Sequence, residues 1–205
     1  MNSALFYSIL QKSFPFNPTL KQTIFFQKIA DFASNSTNEE LFVLKGYAGT
    51  GKTTLISTLV ANLITVNKKY VLLAPTGRAA KVIANYSGKP AFTIHKKIYF
   101  PKKNSSGGVS FTRQVNKHKN TIFIVDESSM ISDVNTDSKS AESNSLLDDL
   151  MNYVYSGENC KMILLGDTAQ LPPINLEVSP ALNIETLLAY YNKDVVHIEL
   201  DEVMR

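Results

Sequence analysis

A single cysteine, Cys160, among 205 residues excludes an internal disulfide and suits a reducing compartment, where a lone thiol is most simply a small buried side chain. No stretch of about 18 consecutive apolar residues occurs, so no segment reads as a membrane-spanning helix. The N-terminal MNSALFYSIL has neither a basic residue ahead of its short apolar run nor a small-residue cleavage site, unlike a secretory leader. These absences lead us to expect a cytoplasmic protein with no membrane partner. Internal repeats and sustained heptads are also missing, which excludes solenoids and coiled coils. With 44% hydrophobic residues the chain can bury one sizeable core, in one domain or two.

The most informative shortage is of acid. Residues 1–120 hold 17 Lys and Arg against 3 Asp and Glu, a net of +14, whereas residues 121–205 hold 4 against 15, a net of −11. Between Glu40 and Asp126 there is no acidic side chain, and 14 basic ones fall in that span. Such a run suits a polyanionic partner. It is equally compatible with a solvated surface whose charges intermix with the acidic half after folding.

Strand-like and helical segments alternate, which predicts an α/β fold with a mainly parallel sheet flanked by helices. LFVLK (41–45), YVLLA (70–74), TIFIVD (121–126), KMILLGD (161–167) and VVHIEL (195–200) are short apolar runs of the kind buried on both faces, and they predict one sheet. TLISTLVANLI (54–64) and SLLDDLMNYVY (145–155) have helical spacing, with Ser145 as N-cap of the second. PKKNSSGG (101–108) and SDVNTDSKSAESN (132–144) are rich in turn formers and polar residues and read as loops, the second acidic.

GYAGTGKTT (46–54) follows the first strand and opens a helix, so Gly46, Gly51, Lys52 and Thr53 meet the G-x-x-x-x-G-K-[ST] pattern in its required setting. Its glycines turn backbone N–H groups towards phosphate oxygens at a positive helix end. Ala48, Gly49, Thr50, Gly51, Lys52, Thr53 and Thr54 are thus the candidate nucleotide cradle. Lys52 neutralises the β/γ-phosphates and Thr53 ligates magnesium. The opposite magnesium ligand is Asp126, at the end of TIFIVD, and adjacent Glu127 can polarise a water for in-line attack. Gln170, in GDTAQLPPI (166–174), is a polar group within reach of a γ-phosphate, although those residues alone describe only a Pro-containing turn.

GYAGTGKTT, APTGRAAKV (74–82), TIHKKIY (93–99), IVDESSM (124–130), GDTAQLPP (166–173) and LDEVMR (200–205) stand in the order of the motifs of superfamily 1 DNA helicases. Together they resemble the RecD-like branch, similar to the exodeoxyribonuclease V alpha subunit, a setting of DNA repair and recombination. The resemblance implies a RecA-like ATPase domain that uses ATP and Mg2+ and moves 5′ to 3′ on single-stranded DNA, acting at duplex junctions. It assigns Lys52, Thr53, Asp126, Glu127, Gln170 and Arg205 to the nucleotide site, with Arg205 reaching the γ-phosphate.

In FNPTLKQTIFFQ (16–27), the resemblance points to Gln22 as the reader of adenine, with Gln27 a competitor on the same helix. APTGRAAK implies a single-strand site at Pro75, Thr76 and Arg78, with Lys81 adding charge. Thr93 and His95 match the next DNA-contact motif, although a histidine there is as readily a packing residue. Two β-prone runs flank the turn in IYFPKKNSSGGVSFTR (98–113), and related helicases carry an inserted strand-separating hairpin here. Residues 98–118 are accordingly expected to form such a pin, with a plain surface loop as the alternative. Phe100 and Phe111 at its flanks can instead support the hairpin's base.

Two rival readings keep the P-loop and drop the motor: an ATP-using kinase or repair switch, and a nucleotide-binding module without hydrolysis. Glu127 opposes the second, because a purely structural site needs no water-activating carboxylate. The family resemblance includes a second RecA-like domain that these residues do not match. We therefore expect residues 1–205 to be the first such domain alone, weakly active or inactive by itself. Protein partners are not indicated.

Overall fold

The computed structural model describes residues 2–37, 39–103, 109–131, 145–167, 169–170 and 179–203. Arg205, the tip of the 98–113 stretch and the acidic loop 132–144 lie outside the described residues.

Each of the five apolar runs forms a strand of one sheet: β1 (Glu40–Gly46), β2 (Lys69–Ala74), β6 (Thr121–Val125), β7 (Lys161–Gly166) and β8 (Asp194–Leu200). A sixth, β3 (Ala91–Thr93), is only three residues long, too short to show alternation in the sequence. The order is β3-β2-β6-β7-β1-β8, and every pair is parallel, with registers such as Val43↔Leu164 and Leu72↔Ile124. Parallel strands buried on both faces need no polar alternation. Accordingly β6 and β7 are buried at every position.

Helices cover the two faces. On one lie α1 (Ser3–Ser13), α2 (Leu20–Ser34), α3 (Lys52–Asn62) and α4 (Gly77–Ser87), packing Phe6, Phe26, Leu55 and Ile83 against the sheet. On the other lie α5 (Ile94–Ile98), α6 (Leu146–Tyr155) and α7 (Ile184–Tyr191), contributing Ile94, Leu147, Val154 and Leu187. The N-terminal segment is thus a structural helix, in which Phe6 and Leu10 share a buried face. Phe14 beyond it meets Phe26 edge to face at 5.2 Å between ring centroids. Ser145 caps α6 as expected, in a reciprocal capping box with Asp148.

The hairpin β4 (Tyr99–Lys103) and β5 (Val109–Arg113) stands apart from the main sheet as an antiparallel pair, registered Tyr99↔Arg113 and Pro101↔Phe111. Its base is tied to α6. The Tyr99 hydroxyl donates to one oxygen of Asp149 at 2.6 Å, and the Arg113 guanidinium pairs with the other at 2.9 Å. Tyr99 also packs on Phe111, with ring centroids 6.5 Å apart, while Phe100 and Phe111 keep much of their surface in water.

One buried charge spans the chain. Lys161, fully buried in β7, pairs with Glu40 at 2.9 Å and donates to the Phe32 carbonyl at 2.7 Å. That satisfaction is what permits an ammonium inside the core.

Candidate nucleotide site and nucleic-acid edge

Because the six strands run parallel, their C-terminal ends share one edge of the sheet, where open α/β folds bind ligands. In spatial order this edge carries Thr93 at the end of β3, Pro75 and Thr76 after β2, Asp126 after β6, Asp167 after β7, and Gly46–Gly51 from the last residue of β1 onwards. From β3 to β1 there are four strand steps, about 19 Å at the usual spacing of about 4.8 Å.

The loop after β1 has the conformation a phosphate cradle needs. Gly49 and Gly51 adopt positive φ of 83° and 87°, open to glycine without strain. Gly46 has no room for a side chain: an added Cβ would lie 2.8 Å from the Thr50 hydroxyl and 2.9 Å from the Leu200 carbonyl. Ala48 and Gly49 are exposed, Thr50 is buried, and Thr54 lies in the first turn of α3. Lys52 Nζ bends back onto the loop, donating to the carbonyls of Gly46 at 2.5 Å and Tyr47 at 2.9 Å. Burial pushes its pKa down, opposed by the negative charges of Asp167, Asp126 and Glu127.

Lys52, Thr53 and Asp126 line one small cavity. Burial raises the Asp126 carboxyl pKa, and the Glu127 charge adds to the rise, while the Glu127 N–H donating at 2.9 Å and the Lys52 charge pull it down. A desolvated carboxylate and a threonine that line the same cavity make a place where a cation is favourable. Among the described residues no three His, Cys, Asp or Glu side chains gather as a metal site. Magnesium needs no such cage, since it takes one or two protein ligands and completes its shell with water and phosphate oxygens. The residues present therefore fit Mg2+ delivered with a nucleotide.

Glu127 has φ of +55°, unusual for a residue that is not Gly, Asn or Asp, and costs about 1 kcal/mol. The strain is held by its successors: Ser128 Oγ donates to Val125 O at 2.9 Å, and Ser129 Oγ donates to Gln170 Oε1 at 3.0 Å. Gln170 is thereby joined to the Asp126–Glu127 turn. Asp167 is the residue that sequence reasoning missed. It is largely buried and accepts from the Ala169 N–H at 2.8 Å, and it is the carboxylate felt most by Lys52. An acid ending a buried parallel strand was the signal at Asp126, and the KMILLGD string carries the same signal.

Gln22 bonds within the protein at both ends of its carboxamide. It is 1% exposed, its Oε1 accepts from the Thr19 N–H at 3.1 Å, and its Nε2 donates to the Thr50 carbonyl at 3.2 Å. The carboxamide joins the start of α2 to the phosphate loop, and contact with adenine requires those bonds to be released. Gln27 is exposed on the same helix.

At the β3–β2 end of the edge the side chains are basic. Thr76 caps α4 by accepting from the Ala79 N–H at 3.2 Å, and Thr93 caps α5 by accepting from the Lys96 N–H at 3.2 Å. Both hydroxyls hold helix N-termini at the sheet edge. Arg78, Lys81 and His95 are exposed, and the His95 ring leans on Tyr99 at 5.6 Å between centroids. The five named DNA candidates Pro75, Thr76, Arg78, Thr93 and His95 thus lie on two adjacent strand ends.

The sequence pattern of a family described as an AAA domain matches residues 30–175. This chain belongs to that family. The ATP-dependent DNA helicase dda of Enterobacteria phage T4 is 31% identical over 166 residues, 79% of this chain and 34% of dda. The ATP-dependent RecD2 DNA helicase of Deinococcus radiodurans is 30% identical over 136 residues, 66% of this chain and 16% of RecD2. Among solved structures, a Pif1 helicase from Bacteroides superposes with a TM-score of 0.54 at 20% identity, covering 93% of this chain and 43% of that one. That last likeness concerns the fold. Within its family, the chain is a RecA-like domain of the RecD-like superfamily 1 type, and it spans well under half the length of these relatives.

Proposed function

We propose that this chain is the first RecA-like ATPase domain of a DNA helicase, hydrolysing ATP and coupling that reaction to movement on single-stranded DNA, 5′ to 3′ as in the branch it resembles. The observation that carries the reading is the shared sheet edge, with a phosphate loop and carboxylates at β1, β7 and β6 and a basic, helix-capped track at β2 and β3. Its relatives' names support the same reading: dda and RecD2 are ATP-dependent DNA helicases, and a Bacteroides Pif1 structure contains ADP-AlF3 and single-stranded DNA.

In this reading Lys52 leaves its loop carbonyls to meet the β/γ-phosphates, while the N–H groups of residues 48–54 surround them. Thr53 and Asp126 hold Mg2+, which neutralises phosphate charge when bound. Glu127 accepts the proton of the attacking water, and Gln170 and Arg205 stand at the γ-phosphate. Gln22 steadies the phosphate loop through Thr50 and, released from it, reads adenine. Pro75, Thr76, Arg78, Thr93 and His95 carry the DNA backbone, and residues 98–118 supply the strand-separating pin. The setting is cytoplasmic; among the described residues no helix is long and apolar enough to cross a membrane.

The test is phosphate release by the purified chain with and without single-stranded oligonucleotide. Turnover is slow in either case, and the ratio is the readout: it rises several-fold with DNA and collapses in Lys52→Ala. Measurable hydrolysis with a ratio of one and intact ATP binding contradicts the motor and favours a kinase or switch.

A further inference from the structure

On the far side of β3 lies a groove of about 550 Å3, lined by Phe92, Lys96, Lys97, Phe100, Lys117 and His118 among others. Its size lies within the usual range for ligand sites. Two of its walls are aromatic rings left open to water, Phe92 at 38% and Phe100 at 45% exposed. Among the described residues the charged side chains that line it are lysines and a histidine, with no Asp or Glu. Lys97 Nζ stands 5.5 Å over the Phe92 ring, and the His118 ring at the wall meets buried Phe123 edge to face at 5.2 Å.

Exposed rings among cations with no acidic neighbour in the described lining match one chemistry well. Single-stranded nucleic acid offers base faces to stack on the rings and phosphates for the ammonium groups, whereas a duplex hides its base faces. An acidic peptide would use the lysines and leave the rings idle.

The fold also says which strand. Arg78 and Lys81 belong to α4, which packs into the first core through Ile83, and Ala91 of β3 packs on that side too. Phe92, its neighbour in the strand, points to the opposite face, where Ile94, Ile98 and Tyr153 form the second core. The start of α4 and the Phe92 wall of the groove therefore lie on opposite faces of the sheet. The groove also borders the hairpin's base, through Phe100 and through Gln114, whose side chain donates to the Tyr99 carbonyl at 2.7 Å.

We infer that this groove is a second single-strand site, which receives the arm displaced from the tracked strand by stacking its bases on Phe92 and Phe100 beneath Lys96, Lys97 and Lys117. The inference rests on the tracked strand running over Thr76 and Thr93.

A forked DNA carrying 5-iodouracil in one arm or the other tests it, by ultraviolet crosslinking to the purified chain and peptide mapping. The displaced arm is expected to crosslink at Phe92 or Phe100, and the tracked arm near residues 76–78. Replacing both exposed rings, F92A with F100A, should abolish the first crosslink and weaken fork binding at least about fivefold, the lower end for a stacked base. Melting temperature should not change, and affinity for a plain single strand should fall less than affinity for the fork. Groove crosslinks from the tracked arm, or unchanged fork affinity in the double variant, overturn the inference. Tracked-arm crosslinks near 76–78 with none in the groove also overturn it but leave the proposed function standing. Groove crosslinks from the displaced arm with none near 76–78 support the groove and contradict the track, and no crosslink anywhere contradicts both.

Discussion

The two ends of one sheet edge carry opposite chemistry. At β6, β7 and β1, three carboxylates face Lys52; at β2 and β3, Arg78, Lys81, His95 and Lys96 are exposed. The division in the sequence, +14 against −11, is only partly kept in space. Strands β6 and β7 of the acidic half insert between β2 and β1 of the basic half. All four described ion pairs, Lys21–Asp201, Arg113–Asp149, Lys119–Glu158 and Lys161–Glu40, join the two halves. None of them takes Arg78, Lys81, Lys96, Lys97 or Lys117. Intermixing thus uses the charges near the N-terminus, the hairpin base and the sheet's lower end, and leaves positive charge where the track and the groove lie.

Removing Lys52, the cation described at the acidic end, should have the largest effect. Lys52→Ala is expected to lower ATP–magnesium affinity at least about 100-fold, because the compact ammonium is the main protein countercharge to the β/γ-phosphates. Titration with a fluorescent ATP analogue measures it, and near-normal affinity would show that the carboxylates are balanced by something else. Glu127→Gln should keep nucleotide binding and lose turnover by about 10² or more. Single-turnover hydrolysis reads this, and residual activity near the wild type would move the base to Asp167.

Gln22→Ala sharpens how the acidic end is held. Losing the Nε2 bond to Thr50 should weaken both ATP and GTP, by about tenfold for a buried hydrogen bond, and ATP the more. An equal loss would remove adenine reading, and a loss confined to ATP would remove the support of the loop. At the basic end, Arg78→Ala should weaken single-strand binding a few-fold and reduce the slope of log affinity against log salt by about one contact. An unchanged slope would remove Arg78 from the track.

The smallest effect concerns His118. Burial, with Lys97 and Lys69 nearby, pushes its pKa below the ordinary histidine value. A group depressed in the folded state contributes stability above its unfolded pKa and loses it as pH falls through the folded one. Melting temperature should therefore drop modestly from pH 7 towards pH 5, less so in His118→Gln. An equal drop in both proteins would assign the acid sensitivity elsewhere.

Much of the nucleotide end was legible because its chemistry is local. The phosphate loop is contiguous, and Asp126 closes a run of five buried residues. Asp167 ends a strand that reads the same way, but its closeness to Lys52 is set by the packing of β7 beside β1 rather than by any local motif. Strand β3 was illegible for a physical reason: three residues, one of them the exposed Phe92, present neither alternation nor an apolar run. Helix α1 was hidden for another, since Phe6 and Leu10 gain their meaning only against α2. Gln22 shows the limit of motif reading. Its position was found, but its partners lie 28 residues away at Thr50 as well as in its own capping box, and only the fold brings them together.

The central claim is that the two ends of this edge communicate. Its most direct test is the affinity of a fluorescent single-stranded oligonucleotide for the chain, with and without a saturating non-hydrolysable ATP analogue and magnesium. Coupling of about 1–3 kcal/mol predicts a change of about fivefold or more, mirrored by an equal change in nucleotide affinity when DNA is present. Identical affinities in both directions would contradict it and leave two independent sites on one sheet.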